Sequence, residues 1–174
     1  MGKGPRKRRS SCTRPDTRPD QGTVSGMRTL NALSAEHRGR LLHSAREVSF
    51  EQGARLFEEG EIPAAFWIIR TGLVTLDIRI PGRRPRVIES LAHGELVGWS
   101  WMFPPSPCRT GAEAMTPVRA LEFDAAEARR LCEADPWFGH AVSGWVGSVL
   151  AHRLQASRAR LLDLYASPGV TAPR

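Results

Sequence analysis

The chain has 174 residues, of which 41% are hydrophobic, a length and composition typical of one globular domain. It contains no run of 18 apolar residues and no apolar segment behind its charged N-terminus, so we predict neither a membrane span nor a secretory signal and expect a cytoplasmic protein without a membrane partner. The three cysteines, Cys12, Cys108 and Cys132, lie far apart, a spacing that predicts neither a metal site nor a disulfide framework.

Most of the net charge lies at the N-terminus. Residues 1–28 contain eight basic and two acidic residues and therefore carry +6 of the net charge of +7. This segment is rich in Pro, Gly and Ser, which predicts a disordered basic tail. Such a tail can contact the phosphates of nucleic acids without sequence specificity. Met27 leaves open an internal translation start, and hence whether residues 1–26 belong to the native protein.

A short helix is predicted over about 34–43. Ser34 can cap it, Glu36 follows in the first turn, and leucines at 33, 41 and 42 supply an apolar stripe.

Short strands and turns are predicted from Val48 to about Phe123. Residues 73–80 alternate with period two, which predicts that Val74, Leu76, Ile78 and Ile80 face a core. The same period predicts that the intervening residues, Thr75, Asp77 and Arg79, face water.

Other segments extend this β pattern. The apolar run 65–69 predicts a buried strand, and 86–91 predicts a strand that returns after the turn at Pro81 and Gly82. Regularly spaced glycines between short strands are typical of a sandwich or a barrel-like roll.

Helical periodicity returns after Asp124. Asp124 is predicted to cap a helix over 125–133, and Asp135 with Pro136 is predicted to begin a second helix that reaches about Tyr165. One face of this long helix is apolar and comprises Phe138, Val142, Trp145, Val149, Leu150, Leu154, Leu161 and Tyr165. That face can pack on the roll, form a homodimer seam through residues 136–165, or do both.

The segment 94–105 carries the ligand hypothesis. An apolar strand end, Leu96-Val97, meets Gly98, where a backbone without a side chain can approach a ligand closely. Backbone N–H groups at the start of a short helix bind anions. Arg109 can clamp phosphate oxygens and Thr110 can add a neutral hydrogen bond. The pattern predicts a site for a small anion such as a phosphate ester.

These residues resemble the phosphate-binding cassette of the cyclic-nucleotide receptor (CRP/FNR-type) family. The glycine-spaced run from Phe50 to Gly60 and the segment from Trp67 to Val74 are similar to the β-roll signature of that family. The cassette Gly-Trp-Ser-Trp-x-Phe-Pro-Pro at 98–105 is similar to that of short, single-domain members from actinobacteria and other high-GC bacteria. The resemblance covers about 33–165.

The resemblance implies an α+β fold: an eight-stranded antiparallel β-roll, jelly-roll-like, with a short N-terminal helix and a long C-terminal helix. We expect this domain over 29–165, followed by a disordered tail over 166–174. The resemblance also implies that the long helix reaches the nucleotide base with Arg153 and Ser157. The candidate ligand residues are therefore Leu96, Val97, Gly98, Trp99, Ser100, Arg109, Thr110, Arg153 and Ser157.

Two departures from the family pattern bear on the ligand. Nucleotide-binding members place a Glu directly after the cassette glycine, where it accepts the ribose hydroxyl, whereas this chain has Trp99, whose indole only donates. We therefore predict weak or absent cyclic AMP binding in the usual mode. The loop after Arg109 is also one residue short, so Arg109 is expected to be displaced by a residue from the family position.

We predict a sensor that binds a cyclic nucleotide or another small anion, holds no other cofactor and signals through its C-terminal helix. No enzyme motif is present, and His93 stands alone in the β region, so neither a catalytic nor a metal site is predicted. No recognition helix is expected in the nine residues after Tyr165, so direct sequence-specific DNA binding is not predicted. Two alternatives stay open: a transcription-associated regulator that acts through a partner or the basic tail, and a ligand-free adaptor whose pocket is filled by Trp99 and Trp101.

Overall fold

The computed structural model describes residues 30–166. The tail predicted over 1–28 lies outside the described residues, as do residues 167–174 of the tail predicted over 166–174. The predicted start of that second tail is wrong by one residue, because Ala166 is the last residue of the final helix. No helix within 30–166 is both long enough and apolar enough to cross a membrane.

Within residues 30–166, three helices and eight strands follow the predicted order. The helices are α1 (Ala35–His43), α2 (Ala125–Ala134) and α3 (Pro136–Ala166), and single 3₁₀ turns lie at Leu30–Ala32 and Ser100–Met102. The strands between α1 and α2 are β1 (Arg46–Phe50), β2 (Arg55–Phe57), β3 (Ala65–Thr71), β4 (Val74–Ile78), β5 (Arg86–Leu91), β6 (Leu96–Val97), β7 (Gly111–Ala114) and β8 (Val118–Asp124).

The strands form two antiparallel sheets of four. One sheet has the order β1-β8-β3-β6 and the other has the order β2-β7-β4-β5. In the first sheet, β3 pairs with β6 through Trp67 opposite Val97, and with β8 through Phe66 opposite Phe123. This architecture confirms the predicted α+β fold with an eight-stranded antiparallel roll.

The strand β3 faces two separate cores. Phe66 and Ile68 pack on one side with the three helices, whereas Trp67 and Ile69 pack on the other side between the two sheets. A strand buried on both faces reads as a continuous apolar run, which explains the uninterrupted sequence over 65–69.

The helix caps form as predicted. The Ser34 hydroxyl accepts from the N–H of His37, and the Asp124 carboxylate accepts from the N–H of Glu127 at 2.7 Å. One carboxylate oxygen of Asp135 accepts from the N–H groups of Trp137 and Phe138 at the start of α3. These bonds satisfy backbone donors that have no partner inside the helix.

The prediction that Thr75 and Asp77 face water is wrong. Asp77 is only 4% exposed and Thr75 is also buried. The guanidinium of Arg55 covers this outer face of the sheet, and its Nη1 donates to the Asp77 carboxylate at 2.5 Å. The guanidinium can lie this close because Gly111 has no side chain in its place. The prediction that Ile78 faces a core is also wrong, because the strand ends at this residue and its side chain is exposed.

The predicted apolar stripe of α3 is buried only in its N-terminal half. Phe138, Val142, Trp145 and Val149 lie in the helix-side core, whereas more than half of the Leu154, Leu161 and Tyr165 surfaces is exposed. The helix has 31 residues, and its last turns extend past the core.

Candidate functional site

The cassette begins where the short strand β6 ends at Gly98. Gly98 has a φ of +74°, a left-handed conformation that favours glycine. A Cβ at this position would lie 3.5 Å from the ring of Phe57, so the backbone packs closely on β2. Trp99 and the single turn Ser100–Met102 follow. This turn is too short to act as an anion-binding helix, so side chains must supply the charge.

A cavity of about 190 Å³ lies between the cassette, the sheet β2-β7-β4-β5 and helix α3. This volume is smaller than the roughly 300–1,000 Å³ of typical small-molecule sites. Its walls are both apolar and polar: Phe57, Leu76, Ile88, Glu89, Gly98, Trp99, Ser100, Cys108, Arg109, Thr110, Leu150, Arg153, Leu154 and Ser157. Helix α3 provides the last four, so a larger guest requires the helix or the side chains to shift outward.

Seven of the nine predicted ligand residues line this cavity: Gly98, Trp99, Ser100, Arg109, Thr110, Arg153 and Ser157. Leu96 and Val97 do not line it, because both side chains are fully buried in the two cores. They hold the start of the cassette in place by pairing with β3.

Arg109 is the accessible cation of the cavity. Its side chain is exposed, and within residues 30–166 it makes no hydrogen bond or ion pair. Thr110 and Ser100 lie in the same lining and offer hydroxyl groups. The arrangement can receive an anion without breaking an existing ion pair.

Arg153 ties helix α3 to the roll. Its Nη2 donates to the backbone oxygen of Leu96 at 2.5 Å, and its Nε lies 3.6 Å from the carboxylate of Glu89. The side chain is only 11% exposed. Arg153 therefore connects α3 to β5 and to the strand that leads into the cassette.

The two cassette tryptophans have different surroundings. Trp101 is 1% exposed and stacks on Phe66 with ring centroids 4.4 Å apart, in the helix-side core. Trp99 is partly exposed, meets Phe103 edge to face and lines the cavity. Trp99 is thus the indole that a ligand would meet.

Cys108 forms part of the wall beside Arg109. Burial, and then the negative charge of Glu61, raise the pKa of its thiol above the usual value. The thiol therefore stays protonated and acts as a small apolar surface. Among residues 30–166 no group of three or more His, Cys, Asp or Glu side chains is arranged to hold a metal ion.

Sequence reasoning missed Glu89. The strand β5 has a bulge: Leu76 pairs with Glu89 and Asp77 pairs with Val87, which leaves Ile88 without a partner. Both Ile88 and Glu89 line the cavity as a result. The sequence did carry one signal. Glu89 lies two residues before Leu91, and residues two apart in a strand share a face, so the burial of Leu91 places Glu89 on the inner face as well.

Comparison with known proteins supports the same family throughout. The sequence profile of the cyclic nucleotide-binding domain matches residues 47–135. The chain is 29% identical over 124 residues to the CRP-like cAMP-activated global transcriptional regulator of Mycobacterium tuberculosis, which covers 71% of this chain and 54% of the regulator. The chain therefore spans about half the length of the curated relatives it matches.

Solved structures show the same fold. A cyclic nucleotide-binding domain from Methylobacillus flagellatus superposes with a TM-score of 0.71 at 19% identity, over 87% of this chain and 86% of that one. The catabolite activator protein of Thermus thermophilus superposes with a TM-score of 0.60 at 22% identity, over 76% of this chain and 61% of that one. Because the profile covers half of the sequence and the resemblance noted from the cassette agrees with it, the chain belongs to the cyclic nucleotide-binding domain family.

Proposed function

We propose that this domain binds a small phosphate-bearing ligand of the cyclic nucleotide class in the cavity beneath α3, and that it signals by changing how α3 packs. The relative from Mycobacterium tuberculosis is described as cAMP-activated, which supports the ligand class. The regulatory relatives support a non-catalytic role.

The observation that carries the proposal is the exposed guanidinium of Arg109 at the cavity. Charge-assisted bonds from Arg to phosphate oxygens are about twice as strong as neutral ones, and the planar guanidinium can bind two oxygens at once. Thr110 and Ser100 add hydroxyl groups in the same lining.

Signalling follows from the shared walls of the cavity. Leu150, Arg153, Leu154 and Ser157 belong to α3, and the rest of the lining belongs to the roll. A ligand that needs more than about 190 Å³ favours a state in which α3 lies farther from the cassette. It shifts the population only by the difference between its affinities for the two states.

The proposal is tested by replacing the cation. We expect Arg109→Ala to weaken binding of cyclic AMP or cyclic GMP by at least about tenfold, because a hydrogen bond to a charged group contributes about 1.5–3 kcal/mol. Isothermal titration calorimetry measures the affinities. The matched control is Arg84→Ala, which removes an exposed Arg outside the cavity lining and should bind as the wild type does. Equal binding by Arg109→Ala and wild type, or no nucleotide binding by wild type, contradicts the proposal.

The ligand-free adaptor is the less favoured alternative. That hypothesis required both Trp99 and Trp101 to fill the pocket, yet Trp101 lies in the core on Phe66. The role in transcription stays a second candidate, supported by the similarity to the Mycobacterium tuberculosis regulator. We also propose that the exposed end of α3 pairs with a second copy of the chain, since its apolar stripe continues beyond the core.

A further inference from the structure

Glu89 is the only carboxylate among the cavity-lining residues that the structure describes. Its side chain is 18% exposed and lies opposite Leu76 on the inner side of the β4–β5 pair. A carboxylate withdrawn from water in this way needs partners, and the other polar side chains that line the cavity can all donate a hydrogen bond: the two guanidinium groups, the indole of Trp99 and the hydroxyl groups.

The guanidinium of Arg153 links Glu89 to the start of the cassette. Arg153 contacts the carboxylate of Glu89 through Nε and the backbone oxygen of Leu96 through Nη2. Leu96 lies two residues before Gly98, so the carboxylate on β5 and the entrance to the cassette are joined by a single side chain. An ionised carboxylate has two oxygens and about four acceptor sites, so contact with Arg153 leaves capacity for a further donor.

We infer that Glu89 supplies the hydrogen-bond acceptor that position 99 lacks, and so selects phosphate esters that carry a free hydroxyl. This inference rests on the proposed function. The anionic end of the ligand binds Arg109 and the hydroxyl donates to Glu89, whose carboxylate Arg153 orients in the unliganded domain. This assignment places the acceptor on β5 instead of in the cassette, and with it we expect cyclic nucleotides to bind despite Trp99.

The distribution of charge in the cavity supports separate roles for Arg109, which binds the anion, and Glu89, which accepts from the hydroxyl. Arg153 is balanced by Glu89, whereas Arg109 is the cation left for the ligand. A guest that is only an anion would gain from Arg109 but would meet Glu89 as a repulsive charge. A guest that also carries a donor turns the same carboxylate into a binding group.

The experiment compares each cyclic nucleotide with the same molecule lacking the hydroxyl. Calorimetry is carried out with cyclic AMP, cyclic GMP and their 2′-deoxy forms on the wild type, Glu89→Gln and Glu89→Ala. We expect the wild type to prefer the hydroxyl form by about tenfold or more, because the bond is to a charged acceptor. The preference should fall to about threefold in Glu89→Gln, whose acceptor is neutral, and to about one in Glu89→Ala.

The control is Glu133→Gln, which makes the same charge change at an exposed position of α2 outside the cavity and should keep the wild-type preference. Circular dichroism confirms the fold of each variant, and Glu89→Gln keeps the test valid if Glu89→Ala does not fold. If Glu89 only supports Arg153, absolute affinities change while the hydroxyl preference stays constant, which overturns this inference alone. If the wild type binds no nucleotide, both the proposed function and the inference about Glu89 fail.

Discussion

Asp135 joins two helices through its two carboxylate oxygens. One oxygen caps α3 and the other accepts from Arg40 of α1 at 2.5 Å, while the Arg40 guanidinium lies 4.9 Å from the centre of the Phe138 ring. The backbone hydrogen bond from Phe138, followed by Arg40, lowers the pKa of Asp135 below its usual value. The stabilisation is therefore present above the unfolded-state pKa of about 3.9 and is lost as pH falls through the lower folded-state pKa.

The pH dependence of this stabilisation is tested by Asp135→Asn, which keeps a capping oxygen but loses the charge. We expect the wild type to melt at a higher temperature than the variant at neutral pH, and the difference to shrink as the pH falls below about 3.9. Thermal unfolding followed by circular dichroism across a pH series checks this. A difference that is the same at every pH would show that the charge of Asp135 does not contribute.

Local signals in the sequence were sufficient to predict the capping role of Asp135, because a cap and the N–H groups that it binds are neighbours in the chain. Local signals were insufficient to predict the burial of Asp77, because that burial depends on Arg55 from another strand. They were also insufficient for Glu89, because its position depends on the bulge in β5 and on Arg153 in the last helix. Contacts between distant segments are decided by packing, which periodicity does not report.

At the scale of elements, two glycines of α3 have different surroundings. A Cβ at Gly139 would lie 2.7 Å from the backbone oxygen of Cys132, so this glycine permits the close approach of α2 and α3. A Cβ at Gly147 would meet nothing within 4 Å. One glycine is required by packing, and the other only weakens the helix.

These two positions make a matched pair. We expect Gly139→Ala to destabilise the domain by about 1–3 kcal/mol, because backbone atoms must separate to admit the methyl group. Gly147→Ala should stabilise it by up to about 1 kcal/mol, the difference in helix propensity. Urea unfolding of both variants checks the signs. Equal effects of the two substitutions would mean that α2 can move away from α3 without cost.

At the scale of the whole molecule, the last turns of α3 expose an apolar surface. Leu154, Leu161, Leu162, Leu164 and Tyr165 are each more than half exposed within the described chain. Apolar groups gathered on one projecting helix are typical of an interaction site. Leu154, Leu161 and Tyr165 continue the predicted apolar stripe of α3, which favours an identical helix as the partner.

We therefore expect the protein to sediment as a dimer at micromolar concentrations and the double variant Leu161→Glu/Leu162→Glu to sediment as a monomer, because buried carboxylates oppose association. Analytical ultracentrifugation distinguishes the two states. Ile62→Glu is the control, since Ile62 is equally exposed in a loop far along the chain from α3 and should leave the dimer intact. A wild type that stays monomeric would exclude pairing through α3.

The strand β3 separates the two cores by the thickness of one backbone. On its helix side Phe66 stacks against Trp101, and on its other side Trp67 stacks against Phe57, whose ring supports the backbone of Gly98. Interiors packed at crystal-like density transmit displacement instead of absorbing it. If the domain signals as proposed, a guest that moves the cassette has two routes to α3: directly across the cavity, and through the aromatic rings on the two sides of β3.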